Sequence, residues 1–161
     1  MIAGGTFMQG CLMGGAGSII GYDYPANKYE LEKTIKEVLK SDRDVYRDSN
    51  RNYMIDITNN KHDTIDNNYY NDGENYMTIK IKVINGECEY IFRFYGDEQN
   101  WKASDSSEIF IVYAYDEKGN GGSEGYGINK DIKKKLTDVF ESEFVDKVDK
   151  KLGSTHTTLS Q

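Results

Sequence analysis

Few side chains in this chain could do chemistry, and their spacing narrows what they could do. There are two cysteines, Cys11 and Cys88, and two histidines, His62 and His156. A Ser-His-Asp arrangement would rest on His62 alone, because His156 lies in a polar C-terminal tail. Neither histidine stands at a metal-ligand spacing. The segment DEKGNGGSEGYGIN holds five glycines between a strand-like and a helix-like run, where a phosphate could be cradled. Its spacing fits neither GxxxxGK[ST] nor GxGxxG, and Lys118 precedes the glycines instead of closing them, so a connecting loop is the better reading. A calcium loop with Gly73 at its sixth position would need oxygen ligands where Tyr70 and Ile79 stand. In DEKGNG, Lys118 would take the third position, so that match fails too. The remaining carboxylates fall on helix or loop positions that solvent explains. The sequence therefore assigns no catalytic residue, no metal and no cofactor.

Charge points the same way. There are 27 acidic against 20 basic residues, a net charge of −7. Nucleic acid is excluded as a partner, since phosphate binding wants a clustered excess of Lys and Arg. Electrostatic docking on anionic lipid is disfavoured for the same reason. No run approaches the ~18 apolar residues of a membrane-spanning helix. At 161 residues the chain suffices for one domain with a sizeable core. Thirteen tyrosines favour sheet, and the many asparagines favour turns and caps.

The one unusual stretch is FMQGCLMGG, residues 7–15. Phe7, Met8, Gln9 and Gly10 lead into Cys11 as an apolar-to-small run. This resembles the lipobox of bacterial lipoproteins, in which a small residue precedes a cysteine that becomes lipidated. The match covers five residues; Gly10 and Met8 fit, while Gln9 departs from the pattern. A basic start and a long apolar run are missing, since Gly4 and Gly5 interrupt it. The expectation is that Met1 is internal and that a leader lies upstream. Residues 12–21, LMGGAGSIIG, read as a spacer between anchor and domain. The tyrosine- and asparagine-rich composition resembles envelope lipoproteins of the Bacteroidota. The resemblance implies a cell-envelope protein, membrane-anchored through Cys11, facing the periplasm or the outer surface and meeting another envelope protein. The alternative is that residues 1–21 are an incidental leader; a Cys11–Cys88 bridge is a further option.

The elements that must hold any site are easier to read. Asn27 and Glu30 form an N-cap pair, and Leu31, Ile35, Val38 and Leu39 make one apolar stripe, so a helix runs to about Ser41. Tyr53, Ile55 and Ile57 alternate with polar neighbours as a strand, which Asn59-Asn60 could turn back into Lys61–Ile65. In YMTIKIKVINGECEYIFRFYG, Asn85-Gly86 is a favoured two-residue hairpin turn. It predicts Val83 opposite Cys88, Ile81 opposite Tyr90, Ile79 opposite Phe92, Met77 opposite Phe94, and Lys82 opposite Glu89. EIFIVYAY comes next, with Ile109, Ile111, Tyr113 and Tyr115 on one face and Phe110, Val112 and Ala114 on the other. Asn129 and Gly153 bound a second helix, Lys130–Leu152. Its apolar residues form two clusters on different sides, Ile132, Leu136, Val139 and Phe140 against Phe144, Val145, Val148 and Leu152. Either this helix bends or its second half packs elsewhere.

These signals predict an α+β fold: an antiparallel sheet of four to five strands with an N-terminal and a C-terminal helix on one face, a two-layer sandwich. Residues 1–21 would be signal remnant and anchor spacer, 22–153 a single domain, and 154–161 an unstructured tail. Ile91, Phe110 and Val112 should then sit on the sheet face away from the helices. Either GSIIGYDY, residues 17–24, folds over them or a partner docks there. Trp101 is the only tryptophan, in a polar stretch. It either caps the core edge or offers a ring for stacking, joined by Tyr69, Tyr70 and Tyr126. The function expected is a lipid-anchored, non-catalytic binding or accessory domain. The alternatives are a soluble acidic binder of inhibitor or immunity type, or a small enzyme built on Gly119–Gly127.

Overall fold

Asn27 opens the first helix as its sequence pattern requires. In the computed structural model, which describes residues 18–48, 53–56, 63–66, 76–124 and 127–159, its side-chain oxygen accepts from the Glu30 amide at 3.0 Å. Helix α1 then runs Lys28–Ser41, with Leu31, Ile35, Val38 and Leu39 all buried. Glu32 and Lys36 pair at 2.5 Å on the helix surface.

The strands are β1 Ile20–Tyr24, β2 Val45–Arg47, β3 Tyr53–Asp56, β4 Asp63–Asp66, β5 Tyr76–Val83, β6 Gly86–Phe94, β7 Ser107–Tyr115, β8 Gly121–Gly122 and β9 Thr157–Leu159. Seven of them form one antiparallel sheet in the order β2-β5-β6-β7-β1-β9, with β8 also paired to β7. Strands β3 and β4 form a separate antiparallel pair in which Tyr53 faces Asp66. The fold class is α+β, as expected, and the sheet is wider than four or five strands. Two segments assigned elsewhere supply the extra width. Residues 20–24 do not fold over the sheet; they are strand β1, central between β7 and β9. Thr157–Leu159, in the tail expected to be unstructured, pair with Gly21–Asp23 of β1.

The central hairpin keeps its faces but not its register. Ile84 and Asn85 form the bend, and Val83 faces Gly86, so Ile81 faces Cys88, Ile79 faces Tyr90 and Met77 faces Phe92. Lys82 faces Glu87, and Lys80 faces Glu89. Gly86 is spent on a close approach instead of the turn: at φ 152°, a Cβ there would meet Glu117 Cβ at 3.0 Å. The two-residue shift preserves the alternation, so every apolar residue stays on its side.

A bulge changes the phase of β7. Ile91 faces Tyr113 while Phe92 faces Ile111, leaving Val112 as the extra residue. Ala114 therefore joins Ile109 and Ile111 in the core, whereas Tyr113 and Tyr115 are half-buried beside Ile91 and Glu89. This corrects the uninterrupted alternation expected from the sequence.

The C-terminal helix solves its two-stripe problem by a change of pitch. Asn129 caps α3, Lys130–Phe140, by accepting from the Asp131 amide at 2.8 Å. A π turn, Glu141–Val145, comes next and leads into α4, Asp146–Leu152, which ends at Gly153 with φ 74°. One residue absorbed in the wider turn rotates α4 back by roughly 100° relative to α3. Phe140 and Phe144 both pack on Phe92, and Val145 and Val148 are fully buried. Tyr22, Tyr90 and Phe92 complete this aromatic core around Phe140. Cys88 lies in it as a free, buried thiol, which burial makes harder to ionise.

Candidate functional site

The residues that alternate with the core residues on β5, β6, β7 and β1 make up the second sheet face. Register sets its rows. Thr78, Ile91 and Tyr113 form one; Lys80, Glu89 and Tyr115 a second; Arg93, Phe110 and Gly21 a third; Glu108 and Asp23 a fourth. The sequence pointed to this face through Ile91, Phe110 and Val112. Ile91 and Val112 are half-buried, Val112 at the bulge, and Phe110 is only 7% exposed.

Arg93 explains the Phe110 figure. Its guanidinium carbon stands 4.2 Å from the centre of the Phe110 ring, and Tyr95 leans on the same ring at 6.4 Å. A desolvated guanidinium over an aromatic face is attracted by the ring quadrupole. Gly21 stands opposite Phe110, and a Cβ there would touch Leu159 and Glu108 at 3.4 Å. The Arg93 Nε is enclosed and has no hydrogen-bond partner among the described residues.

Charged groups flank this apolar centre. Asp23 and Glu108 stand directly opposite each other across β1 and β7. Burial holds the Asp23 carboxyl above its ordinary range. Glu108 is raised first by burial and then by the Asp23 charge, against a weaker pull from Arg93. Glu89 is raised by burial despite Lys80, which pairs with Asp48 at 3.2 Å. The face thus joins partly dried carboxylates to aromatic and aliphatic surface, an arrangement suited to recognition. Sequence reading missed Arg93, Asp23 and Glu108, because cross-strand neighbours are set by register, not by spacing along the chain.

The other sites the sequence raised resolve differently. Trp101 lies on helix α2, Glu98–Ala103, in a stretch expected to be loop. Asp97 caps it, accepting from the Gln99 and Asn100 amides. Trp101 is 9% exposed and its Nε1–H donates to the Tyr95 carbonyl at 2.7 Å. Its ring is occupied by the chain's own Lys28, so it caps the core edge and offers no free stacking surface. Cys11, Tyr69, Tyr70 and Tyr126 lie outside the described residues.

The glycine-rich connection is organised around one acid. Asp116 accepts from the Lys118 and Asn120 amides at 2.9 and 2.8 Å, and Lys135 reaches it at 3.4 Å. Burial raises this carboxyl, but those donors outweigh it and hold it at about 2. Gly121, at φ 148°, lies so close to β7 that a Cβ would meet the Ala114 carbonyl oxygen at 2.0 Å. Gly119, at φ 79° with its amide donating to the Asp116 carbonyl at 2.9 Å, and Gly121 serve the chain reversal.

His156 does not stand in a free tail. Its Nδ1 lies 2.9 Å from Asp149 Oδ2, and its ring meets Tyr22 edge-on at 5.3 Å. Such a pair orients an imidazole. No hydroxyl is bonded to the other ring nitrogen among the described residues, and the buried Tyr24 and Ser154 hydroxyls have no partner there. The pair fastens β9 to α4.

No known protein family matches this chain, and comparison with curated proteins and with solved structures finds no match either.

Proposed function

We propose that this chain is a lipid-anchored, non-catalytic binding or accessory module of a bacterial cell envelope. Cys11 would carry the anchor, and a partner protein would meet the second sheet face. The carrying observation is the Gly10-Cys11 pair after Phe7 and Met8, followed within six residues by three more glycines. Several acyl chains hold a protein on a bilayer where one does not. Confinement of this kind raises the effective concentration of a partner without any new contact. No helix among the described residues is long and apolar enough to cross a membrane, so durable attachment by this route would fall to the lipid.

The mass of the Cys11 peptide from protein made in its native host tests the reading. Diacylglyceryl and amide-linked acyl additions are expected, and Cys11→Ser should move the protein out of the membrane fraction. An unmodified thiol would sink the proposal.

A second reading is supported by Asp23, Glu108 and Glu89 beside the apolar centre of the face. A soluble binder of inhibitor or immunity type would use these carboxylates on a basic target. It predicts association that weakens steeply with salt and an unmodified Cys11.

A further inference from the structure

We infer that the edge of β1 covered by β9 is a docking edge for an extended segment of a partner protein, one with an aliphatic residue opposite Gly21 and a lysine or arginine opposite Asp23. The incoming segment would displace β9 and extend the sheet. This contact is separate from the second sheet face and does not depend on Cys11.

The strand in place fits that edge poorly. It has three residues, Thr157–Leu159; both threonines are exposed and Leu159 is half-buried. Little apolar surface therefore holds it. Register sets what each residue meets: Leu159 stands opposite Gly21, Thr158 opposite Tyr22 and Thr157 opposite Asp23. Asp23 in turn stands opposite Glu108 on β7. Like charges directly opposite each other on one sheet face repel. Neither carboxylate has an ion pair or a hydrogen bond among the described residues. Arg93, on the same face, lies over the Phe110 ring instead. Burial holds both carboxyls above their ordinary range, and the Asp23 charge raises Glu108 further.

Thr157 brings no charge to this pair. A Cβ on Gly21 would lie 3.4 Å from Glu108 Oε1 and from Leu159 Cβ alike, so the Glu108 carboxylate leans toward the β9 edge. A lysine or arginine opposite Asp23 would serve both acids at once. Its stem would run beside the aliphatic residue two positions on, which shares its face.

The fastening beneath β9 is incomplete as well. His156 Nδ1 meets Asp149 Oδ2 at 2.9 Å, and its ring lies between Tyr22 and Tyr24, 5.3 and 6.0 Å away. The Ser154 amide donates to the Asp149 carbonyl. At this junction Tyr24 OH, Asp149 Oδ1 and Ser154 Oγ are buried without a hydrogen-bond partner. Dry, unpaired polar groups are costly, so lifting the segment recovers hydration that its docking forfeits. Gly153, at φ 74°, supplies the pivot where α4 ends. Along a vacated edge, main-chain hydrogen bonds give affinity and alternate side chains give selectivity.

Amide NMR on the full chain tests this with two peptides of residues 154–161, one carrying Thr157→Lys and the other Thr158→Lys. Their charge is the same, but only the first puts its lysine on the Asp23 side. In excess at low salt, the Thr157→Lys peptide should shift the amides of Gly21–Asp23. It should also speed exchange of the chain's own Thr157–Leu159 amides several-fold. The Thr158→Lys peptide should bind several-fold more weakly, and Asp23→Asn in the chain should remove the difference. Equal binding of the two peptides would overturn the inference. So would β9 amides that exchange as slowly as those of β6 at every peptide concentration. Dimers of the chain alone that shield the Gly21–Asp23 amides would overturn it too, since the edge would then belong to a second copy.

Discussion

The Lys28 ammonium lies 4.5 Å from the centre of the Trp101 ring, with Phe94 at 5.1 Å and Tyr29 at 5.5 Å around it. The side chain is 4% exposed and pairs with Glu32 at 2.5 Å. This is an aromatic cage filled by the protein's own cation. It ties the start of α1 to α2 and to the end of β6. A desolvated cation–π contact contributes about 2 kcal/mol, and removing one partner of an enclosed pair costs more. Lys28→Ala should lower unfolding free energy by about 2–4 kcal/mol in urea titration. Lys28→Met, which keeps the stem against the rings, should cost less. Burial raises the Glu32 carboxyl, but bonds from Lys28 and Lys36 outweigh it and hold it low. In Lys28→Met it should titrate higher by NMR.

Asp116 should give the fold an acid-sensitive step. Its folded-state value of about 2 lies below the ordinary 3.8. A depressed carboxyl contributes stability that is fully present above the unfolded value, about pH 4, and is lost as pH falls toward about 2. Asp116→Asn should flatten stability between those limits, as read by thermal unfolding across pH. Asp116→Ala should also lose the turn bonds, at about 1–2 kcal/mol.

Deleting Ser142 tests the π turn. The residue is exposed and sits within the widened turn. Its removal should let α3 and α4 join as one regular helix with both apolar clusters still facing the core. The variant should fold, with stability changed by about 1 kcal/mol or less. Inserting one alanine at the same place should turn α4 by about 100° and abolish cooperative unfolding.

Phe110 is covered by Arg93, so its role is structural before it is interfacial. Phe110→Ala should cost about 3 kcal/mol by removing a buried ring. Ile91→Lys and Tyr113→Lys, on half-buried positions of the same face, should leave folding intact and weaken association with an envelope partner in pull-down from native membranes.

Local chemistry was legible in the chain by itself. Asn27, Asn129 and Gly153 marked helix ends because caps depend on residues only a few positions apart. The α1 stripe and the alternation of β5 and β6 were legible because period and burial go together on one element. The bulge at Val112 was not, since it exists only relative to the partner strand. The π turn likewise answers to Phe92 and Tyr22, which lie far off in sequence. The residues around Phe110 met through register: Gly21 and Arg93 stand opposite it on the two neighbouring strands, and Arg93 supplied the cover. Tertiary structure alone decided that the segment from Ile20 is a central strand, that Thr157–Leu159 extend the sheet, and that Trp101 faces its own lysine. Each of these was settled by surfaces that meet only once the chain has folded, and no pattern read along the chain records them.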